Sequence, residues 1–511
     1  MDKKAIVLIV LVMVIAVVYC LLLFGGYSGT SDTCDYGGLA LNLISGKGFT
    51  VNHVLPLSLV FIPNVPQPNC TWAPGYPVFL AGVFTVLGVS DYSILGANLF
   101  LFLMVIISGY FLTKKYVNYE AALIFVLFMG LNQYSYYTIL YGSPEMLAAA
   151  LLTFSLLLWG DNYRRVIIAG LFYGLAVLTR YQMVILLPVY LVFFKKINKK
   201  YIVFIAVVVI VCAGWLVRNI VLFGDPLFCL QRYGEFTKGM GIGDDFYYTY
   251  RSLEPAGFFY VISTYPLLFL RKLAVGVTYF LRTLPEHLNS FGLFLVFWAI
   301  IYREKLATLN SNKSRMGVNL WRPAVRFLII GVALTVIICL FDGQHHRHLY
   351  IFNPLMIMIS SAGFNDFALR TGIMKKRFYY LVLLLFFLIP LQFPQQEVWL
   401  RDLKVRIKAE IPVYREVAIN LSCYGPVASD ASDALWWYSG LNTVWMPTNY
   451  ETFVKVDSLI DIKAVYFQKD DWLKKLDKEE RRKFMISFPE IRRFNDGSVL
   501  YIKSLVDGRL E

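Results

Sequence analysis

The sequence predicts a mostly α, polytopic bundle of about 11–13 transmembrane helices, followed by a soluble α/β domain on the outer face of the membrane. Three observations carry this. Hydrophobic residues fill 58% of the 511 positions, only 16% are charged, and the mean hydropathy is +0.58. A soluble domain holds about 45–50% apolar and about 25% charged residues, so the excess needs lipid as its solvent. Apolar runs recur up to residue 393, and beyond it the chain turns charged and has no further spanning run. The division is therefore 1–393, the membrane domain with a long loop at 25–90, and 394–511, the soluble domain.

The runs cover 5–24, 92–113, 119–139, 145–159, 166–180, 182–194, 201–222, 289–302, 327–341, 349–364 and 378–393. Several are shorter than the roughly 20 residues of a usual span. The stretch 257–284 is apolar but interrupted by Arg271 and Lys272. It lies in the membrane interface or adds a hairpin, and the number of crossings is odd either way. The first run follows Lys3 and Lys4 and lacks a small-residue cleavage site. It reads as a retained helix rather than a signal peptide.

The formal net charge of +14 is dispersed in short clusters between apolar runs. That pattern argues against a nucleic-acid partner and for orientation by charge. With the N-terminus cytoplasmic, every inner loop is basic: Lys3–Lys4, Lys114–Lys115, Arg164–Arg165, Lys195–Lys196 with Lys199–Lys200, and two later clusters. The inner loops hold about 20 basic residues against roughly ten outside. The expected location is the cytoplasmic (plasma) membrane, with the C-terminal domain extracytoplasmic. The other face then collects Asp32, Asp35, Glu145, Asp225, Asp244, Asp245, Asp342 and all five histidines.

Seven cysteines are too few and too scattered for a disulfide scaffold. Cys34 and Cys70 bracket the first long loop and are a candidate pair if that loop is outside. Asn69-Cys70-Thr71 fits a glycosylation sequon. In the C-terminal domain the patterning predicts strands at Pro426–Ser429, Val444–Met446 and Ala464–Phe467. It also predicts a short helix at 430–438, a charged helix at 472–483 and a hairpin over 493–503 turning at Asn495-Asp496-Gly497.

Within the 25–90 loop, Asp32, Tyr36 and Ala40 fall at i, i+4 and i+8, one face of a helix that Gly46 and Gly48 end. Trp72-Ala73-Pro74-Gly75-Tyr76-Pro77 makes a rigid aromatic turn after it. This sequence of motifs resembles the first outer loop of GT-C membrane glycosyltransferases, such as protein O-mannosyltransferases, lipid A aminoarabinose transferases and Rgt-like enzymes. Gly170-Leu171 and Gly174-Leu175 before Leu178-Thr179-Arg180 resemble that family's GlxxGlaxLtR helix. Trp215 to Asn219 with Phe223-Gly224-Asp225-Pro226 resembles its WxxRNxxxFGDP pattern, and His346 to Tyr350 before Pro354 is similar to its R-Y-x-x-P segment. Ser143-Pro144-Glu145 is similar to its acidic start of an early helix, and 427–440 to its outer domain.

The resemblance implies an inverting transfer of a sugar from a polyprenyl-phosphate carrier to an acceptor hydroxyl of a lipid, protein or glycan. An acid of the first outer loop is the base. Asp32 takes that position, and Asp35 competes from one helical turn away. A departing phosphate calls for arginine, whose planar fork donates two bonds at once. Arg180, Arg218 and Arg347 stand at helix ends for this, or serve as anchors to lipid headgroups. Glu145 caps its helix or orients an arginine. Tyr36, Tyr76 and Tyr350 line a groove or belong to the interfacial aromatics. His346 and His348 count as substrate-binding candidates. No cofactor is expected, although His346 and His348 with an acid make a divalent-metal set conceivable. The competing readings are a transporter or flippase of lipid-linked sugars, which calls for internal repeats not seen here, and a ligase for whole oligosaccharides.

Overall fold

The computed structural model describes residues 2–27, 30–160, 162–194, 197–301, 315–341, 346–370, 394–421, 425–469 and 471–504. The expected run at 378–393 lies outside them. Helix α1 (Lys3–Phe24) starts where Asp2 accepts from the Ala5 amide at 2.9 Å and stops at Gly25, in the left-handed region at φ 63°. Its buried residues, Ala5, Ile9, Val12, Ala16, Cys20 and Phe24, form one stripe at helical spacing. Val7, Leu11 and Leu22 stay exposed on the other side, as lipid-facing residues do.

After α2 (Ser31–Ile44) and α3 (Gly75–Leu87), the bundle continues with α4 (Asp91–Tyr116), α5 (Tyr119–Gly130), α6 (Gln133–Tyr141), α7 (Glu145–Leu158), α8 (Tyr163–Thr179) and α9 (Lys199–Phe223). It resumes with α10 (Phe258–Thr264), α11 (Pro266–Ile301), α12 (Arg315–Phe341) and α13 (Asn353–Arg370). Among the described residues, α1, α4 and α9 are each long and apolar enough to cross a membrane, and five spans result if each bent pair counts as one. The single run expected at 119–139 is such a pair, bent by 53° between α5 and α6. Asn132 causes the break by capping α6, its side chain accepting from Ser135 N at 2.9 Å. The run at 182–194 winds largely as 3₁₀ turns around Pro188, which has no amide hydrogen to donate. The stretch 257–284 becomes α10 and the first part of α11, folded at 110° where Pro266 disfavours helical backbone before it.

The ends of the bundle differ. Lys115 Nζ donates to the carbonyls of Leu157 and Trp159, so α4, α7 and the start of α8 meet where the basic pairs lie. A cavity of about 510 Å³ between Lys114, Lys115 and Arg165 opens there. Glu145 and Arg180 occupy the opposite ends of α7 and α8.

The C-terminal part opens with α14 (Pro394–Leu421) and builds on a six-stranded sheet. With β1 (Thr50–Val51) and β3 (Gln67–Pro68) pairing separately, the sheet holds β2 (His53–Val54), β4 (Val427–Ser429), β5 (Thr443–Trp445), β6 (Ala464–Phe467), β7 (Glu490–Arg493) and β8 (Val499–Ile502). The order is β2-β5-β4-β6-β8-β7, parallel as far as β6 and antiparallel beyond. Helices α15 (Ser432–Ser439) and α16 (Tyr450–Ile460) follow β4 and β5. The strand β2 comes from the first long loop and pairs with β5, so that loop and the sheet share one core. The charged helix expected at 472–483 is broken in two, because a capping box at Asp477 and Glu480 starts a new helix at Lys478.

His53 on β2 is buried, and burial pushes its imidazole down to about 4 despite the nearby Asp433 charge. The unfolded imidazole titrates near about 6.5. Between those values the unfolded chain holds the extra proton, so stability falls as the pH drops from about 6.5 to about 4. Burial raises the Asp35 and Asp430 carboxyls, and these act in the opposite sense over the same range. From pH 7 to pH 5 the melting temperature of detergent-solubilised wild type should therefore shift downwards relative to that of His53→Gln, and an equal change in both proteins would remove His53 as a cause.

Candidate active site

Helix α2 is pinned at its start. Thr30 is its N-cap, and the Thr30 and Thr33 hydroxyls donate to the carbonyl of Tyr141 at 3.3 and 2.5 Å. This fastens the first turn, which carries Asp32, to the end of α6. Gly142, at φ 68°, lets the chain turn sharply so that Glu145 opens α7 beside it. Arg180 follows α8 in extended backbone, and Arg347 and His348 lie in the 3₁₀ segment His346–Phe352 that leads into α13.

These side chains form a chain of alternating charge. Arg347 Nη1 bonds to Asp32 Oδ2, and its Nε lies 3.7 Å from Glu145 Oε1. Glu145 Oε1 also bonds to Arg180 Nη2, with His348 Nδ1 at 3.4 Å. Arg347 donates to the Tyr141 hydroxyl at 3.3 Å and lies over its ring, 5.5 Å from the centroid. The two halves differ in access. The Arg180 and Glu145 side chains are 5% and 1% exposed, whereas those of Arg347 and Asp32 are 16% and 14% exposed. The Asp32–Arg347 end is thus the more exposed of the two, with Arg180 and Glu145 sealed behind it.

The remaining sequence candidates divide. Tyr36 is within electrostatic reach of Arg180, Asp32, Glu145 and Arg347. It packs edge-on against Trp72 at 5.0 Å and Tyr76 at 5.3 Å. The Tyr76 hydroxyl accepts from Asn98 at 2.7 Å, and Tyr350 donates to Ser135 at 3.1 Å, so both are buried behind the ion pairs. Asp35 takes a different partner, its Oδ2 accepting from Trp72 Nε1 at 3.0 Å. Its buried Oδ1 has no hydrogen-bond partner among the described residues. Burial, with the charges of Asp433 and Asp32, holds its carboxyl well above the usual carboxylate range. Arg218 belongs to a different contact: it donates to the Asn69 carbonyl at 2.7 Å and stacks 4.4 Å over Trp215. The side chain of His346 lies outside the described residues.

Tyr141 and Tyr247 join the site without having been singled out in the sequence, and Lys238 lies beside Tyr247. Tyr247 lies within electrostatic reach of Asp32 and Arg347. Lys238 Nζ sits 5.8 Å from its ring centroid and 3.2 Å from Glu235. Their approach depends on the path of 225–257 over the site, which no local pattern encodes. The Tyr-Gly-Ser-Pro-Glu run at 141–145 was the one available signal, an aromatic at a turn into an acid. Among the described residues no three His, Cys, Asp or Glu side chains gather as a metal-ligand set.

No family model matches the sequence, and no curated protein matches it. Solved structures do resemble the fold. The archaeal oligosaccharyltransferase AglB from Archaeoglobus fulgidus, in complex with an inhibitory peptide and a dolichol-phosphate, aligns over 99% of this chain and 75% of its own, with 12% identity and a TM-score of 0.55. ArnT from Cupriavidus metallidurans, bound to undecaprenyl phosphate, aligns over 99% of both chains with 12% identity and a TM-score of 0.56. The chain has the GT-C fold. The arabinofuranosyltransferase AftD from Mycobacteria matches 98% of this chain and 42% of its own, with 11% identity and a TM-score of 0.50.

Within this fold the C-terminal part clamps the helix that carries Asp32. A Cβ on Gly37 would stand 2.9 Å from the Trp437 ring, and one on Gly38 would stand 2.3 Å from Trp436. The adjacent glycines let α15 approach α2 with no side chain between. Asn42 extends the clamp by donating to Asn52, which donates to Asn442, each at 2.7 Å. Gly38→Ala should destabilise the protein by about 1–3 kcal/mol, because a rigid indole cannot yield. Thermal melts in detergent test this. An unchanged melting temperature would mean that α15 does not rest on α2.

Proposed function

We propose that the chain is an inverting glycosyltransferase that moves a sugar from a polyprenyl-phosphate carrier to an acceptor hydroxyl of a lipid, protein or glycan. One observation carries this reading: an accessible carboxylate, Asp32, is paired with an accessible guanidinium, Arg347, which a buried acid and a second arginine hold in place. Asp32 accepts the proton of the acceptor hydroxyl as that oxygen attacks the anomeric carbon. Arg347 turns from Asp32 to the phosphate oxygens as the carbon–oxygen bond to the carrier breaks. Attack opposite the departing phosphate inverts the anomeric centre. Glu145 and Arg180 keep Arg347 oriented, and His348 braces Glu145.

The ligands of two fold relatives, dolichol-phosphate in AglB and undecaprenyl phosphate in ArnT, support a lipid-phosphate carrier. The basic residues at the opposite end of the bundle support an active site on the outer face of a plasma membrane. Guanidinium groups supply the positive charge in this reading, so no cofactor or divalent ion is required.

The test is transfer of radiolabelled sugar from polyprenyl-phosphate donors to endogenous acceptors in membranes carrying the full chain. Transfer that persists in EDTA is the expected result. Labelling only from an oligosaccharide-bearing lipid would favour a ligase. Movement of lipid-linked sugar across the bilayer without transfer would replace the reading with a flippase.

A further inference from the structure

Cys70 and Cys229 are far apart in the sequence, yet the fold brings them together. The Leu230 amide donates to the Cys70 carbonyl at 2.8 Å. Standard covalent geometry then limits the separation of the Cys70 and Cys229 Cα atoms to at most about 7.6 Å. Disulfides span about 4.4–6.8 Å between Cα atoms. The Cys229 side chain is turned towards the same segment, with its sulfur 3.6 Å from the Thr71 carbonyl. Cys34, the partner suggested by sequence alone, is buried elsewhere, in the cluster with Ile411, Tyr414 and Leu435.

We infer that Cys70 and Cys229 form a structural disulfide that ties the first long loop to the segment following α9. The inference rests on the outer-face placement proposed above, because only that side is oxidising. Each thiol gives up one proton and one electron. The electron pair reduces the disulfide of a thiol–disulfide oxidoreductase to two thiols, which take up both protons. Burial pushes both thiols up to about 12, so exchange belongs to the folding chain and the finished bond resists reduction.

The position gives the bond a purpose. Residues 69–72 are already gripped by Arg218 on the Asn69 carbonyl at 2.7 Å and by Tyr181 on the Trp72 carbonyl at 3.4 Å. Trp72 in turn holds Asp35 on the helix that carries Asp32. The Asn69 amide is spent inside this turn, donating to the Trp72 carbonyl at 2.7 Å, and the residue is buried. The sequon there serves the turn rather than a glycan.

The test is peptide mapping of the full chain from membranes, denatured and alkylated without reductant. A peptide linking Cys70 to Cys229, lost on treatment with dithiothreitol, is the expected result. Cys70→Ser, Cys229→Ser and the double variant should then lower the melting temperature by the same amount, as loss of one shared bond requires. A membrane-impermeant maleimide on Asn495→Cys in intact cells reports the side of the membrane. Both thiols alkylated with Asn495→Cys labelled from outside would overturn the pairing alone. Both alkylated with Asn495→Cys protected would overturn the pairing together with the outer-face reading. A link from Cys70 to Cys34 would also overturn it.

Discussion

Asp32→Asn should reduce sugar transfer by about 10²–10⁴-fold, the span that a positioned general base contributes. The substitution keeps the size of the side chain and an acceptor oxygen for Arg347, so the protein should fold as wild type. Only the capacity to take a proton is lost. The neighbouring Asp35→Asn is the control that gives the result its meaning. Asp35 sits on the same helix but spends one oxygen on Trp72 and buries the other, which has no hydrogen-bond partner among the described residues. An asparagine there can still accept from the indole, so transfer should stay within about tenfold of wild type, a change of at most about 1.4 kcal/mol in the barrier. Rates from matched amounts of folded protein decide the matter. Loss in Asp35→Asn with transfer intact in Asp32→Asn would move the base by one helical turn and leave Arg347 without its assigned role.

The helix behind this prediction was legible in the sequence because its information is local. Asp32, Tyr36 and Ala40 repeat at helical spacing and glycines mark the end, and the structure returns a helix over Ser31–Ile44. The sheet strand Ala464–Phe467 was legible for the same reason. Strand β2 was not, since two residues carry no period and its partner lies almost 400 positions away. Arginines at helix ends defeat local reading in another way. Arg180, Arg218 and Arg347 look alike in sequence, yet one is sealed against Glu145, one holds a backbone carbonyl and one reaches an accessible acid. What separates them is which distant segment arrives opposite. Tyr247 is silent in the sequence for that reason too. Asp32 and Asp35, one turn apart, are rivals in the sequence because their difference lies in Trp72 and Arg347, not in the helix.

Glu145→Ala should cost about 3–5 kcal/mol of stability, the usual penalty for stranding a buried charge. Arg180 is buried and its guanidinium is bonded to Glu145, so removing the acid leaves a cation where water cannot replace its partner. The loss comes from the stranded charge more than from the missing attraction, and this makes a double substitution informative. Glu145→Ala with Arg180→Met should be more stable than Glu145→Ala alone, because the unpaired cation is gone and an apolar chain fills its place. Both proteins should transfer sugar slowly, since Arg347 loses the carboxylate that lies 3.7 Å from its Nε and swings freely about Asp32. Stability and activity are thereby separable: thermal melts should recover in the double variant while transfer does not. Recovery of both would show that Glu145 serves the fold alone. Recovery of neither would mean that the site needs Arg180 for more than balancing Glu145.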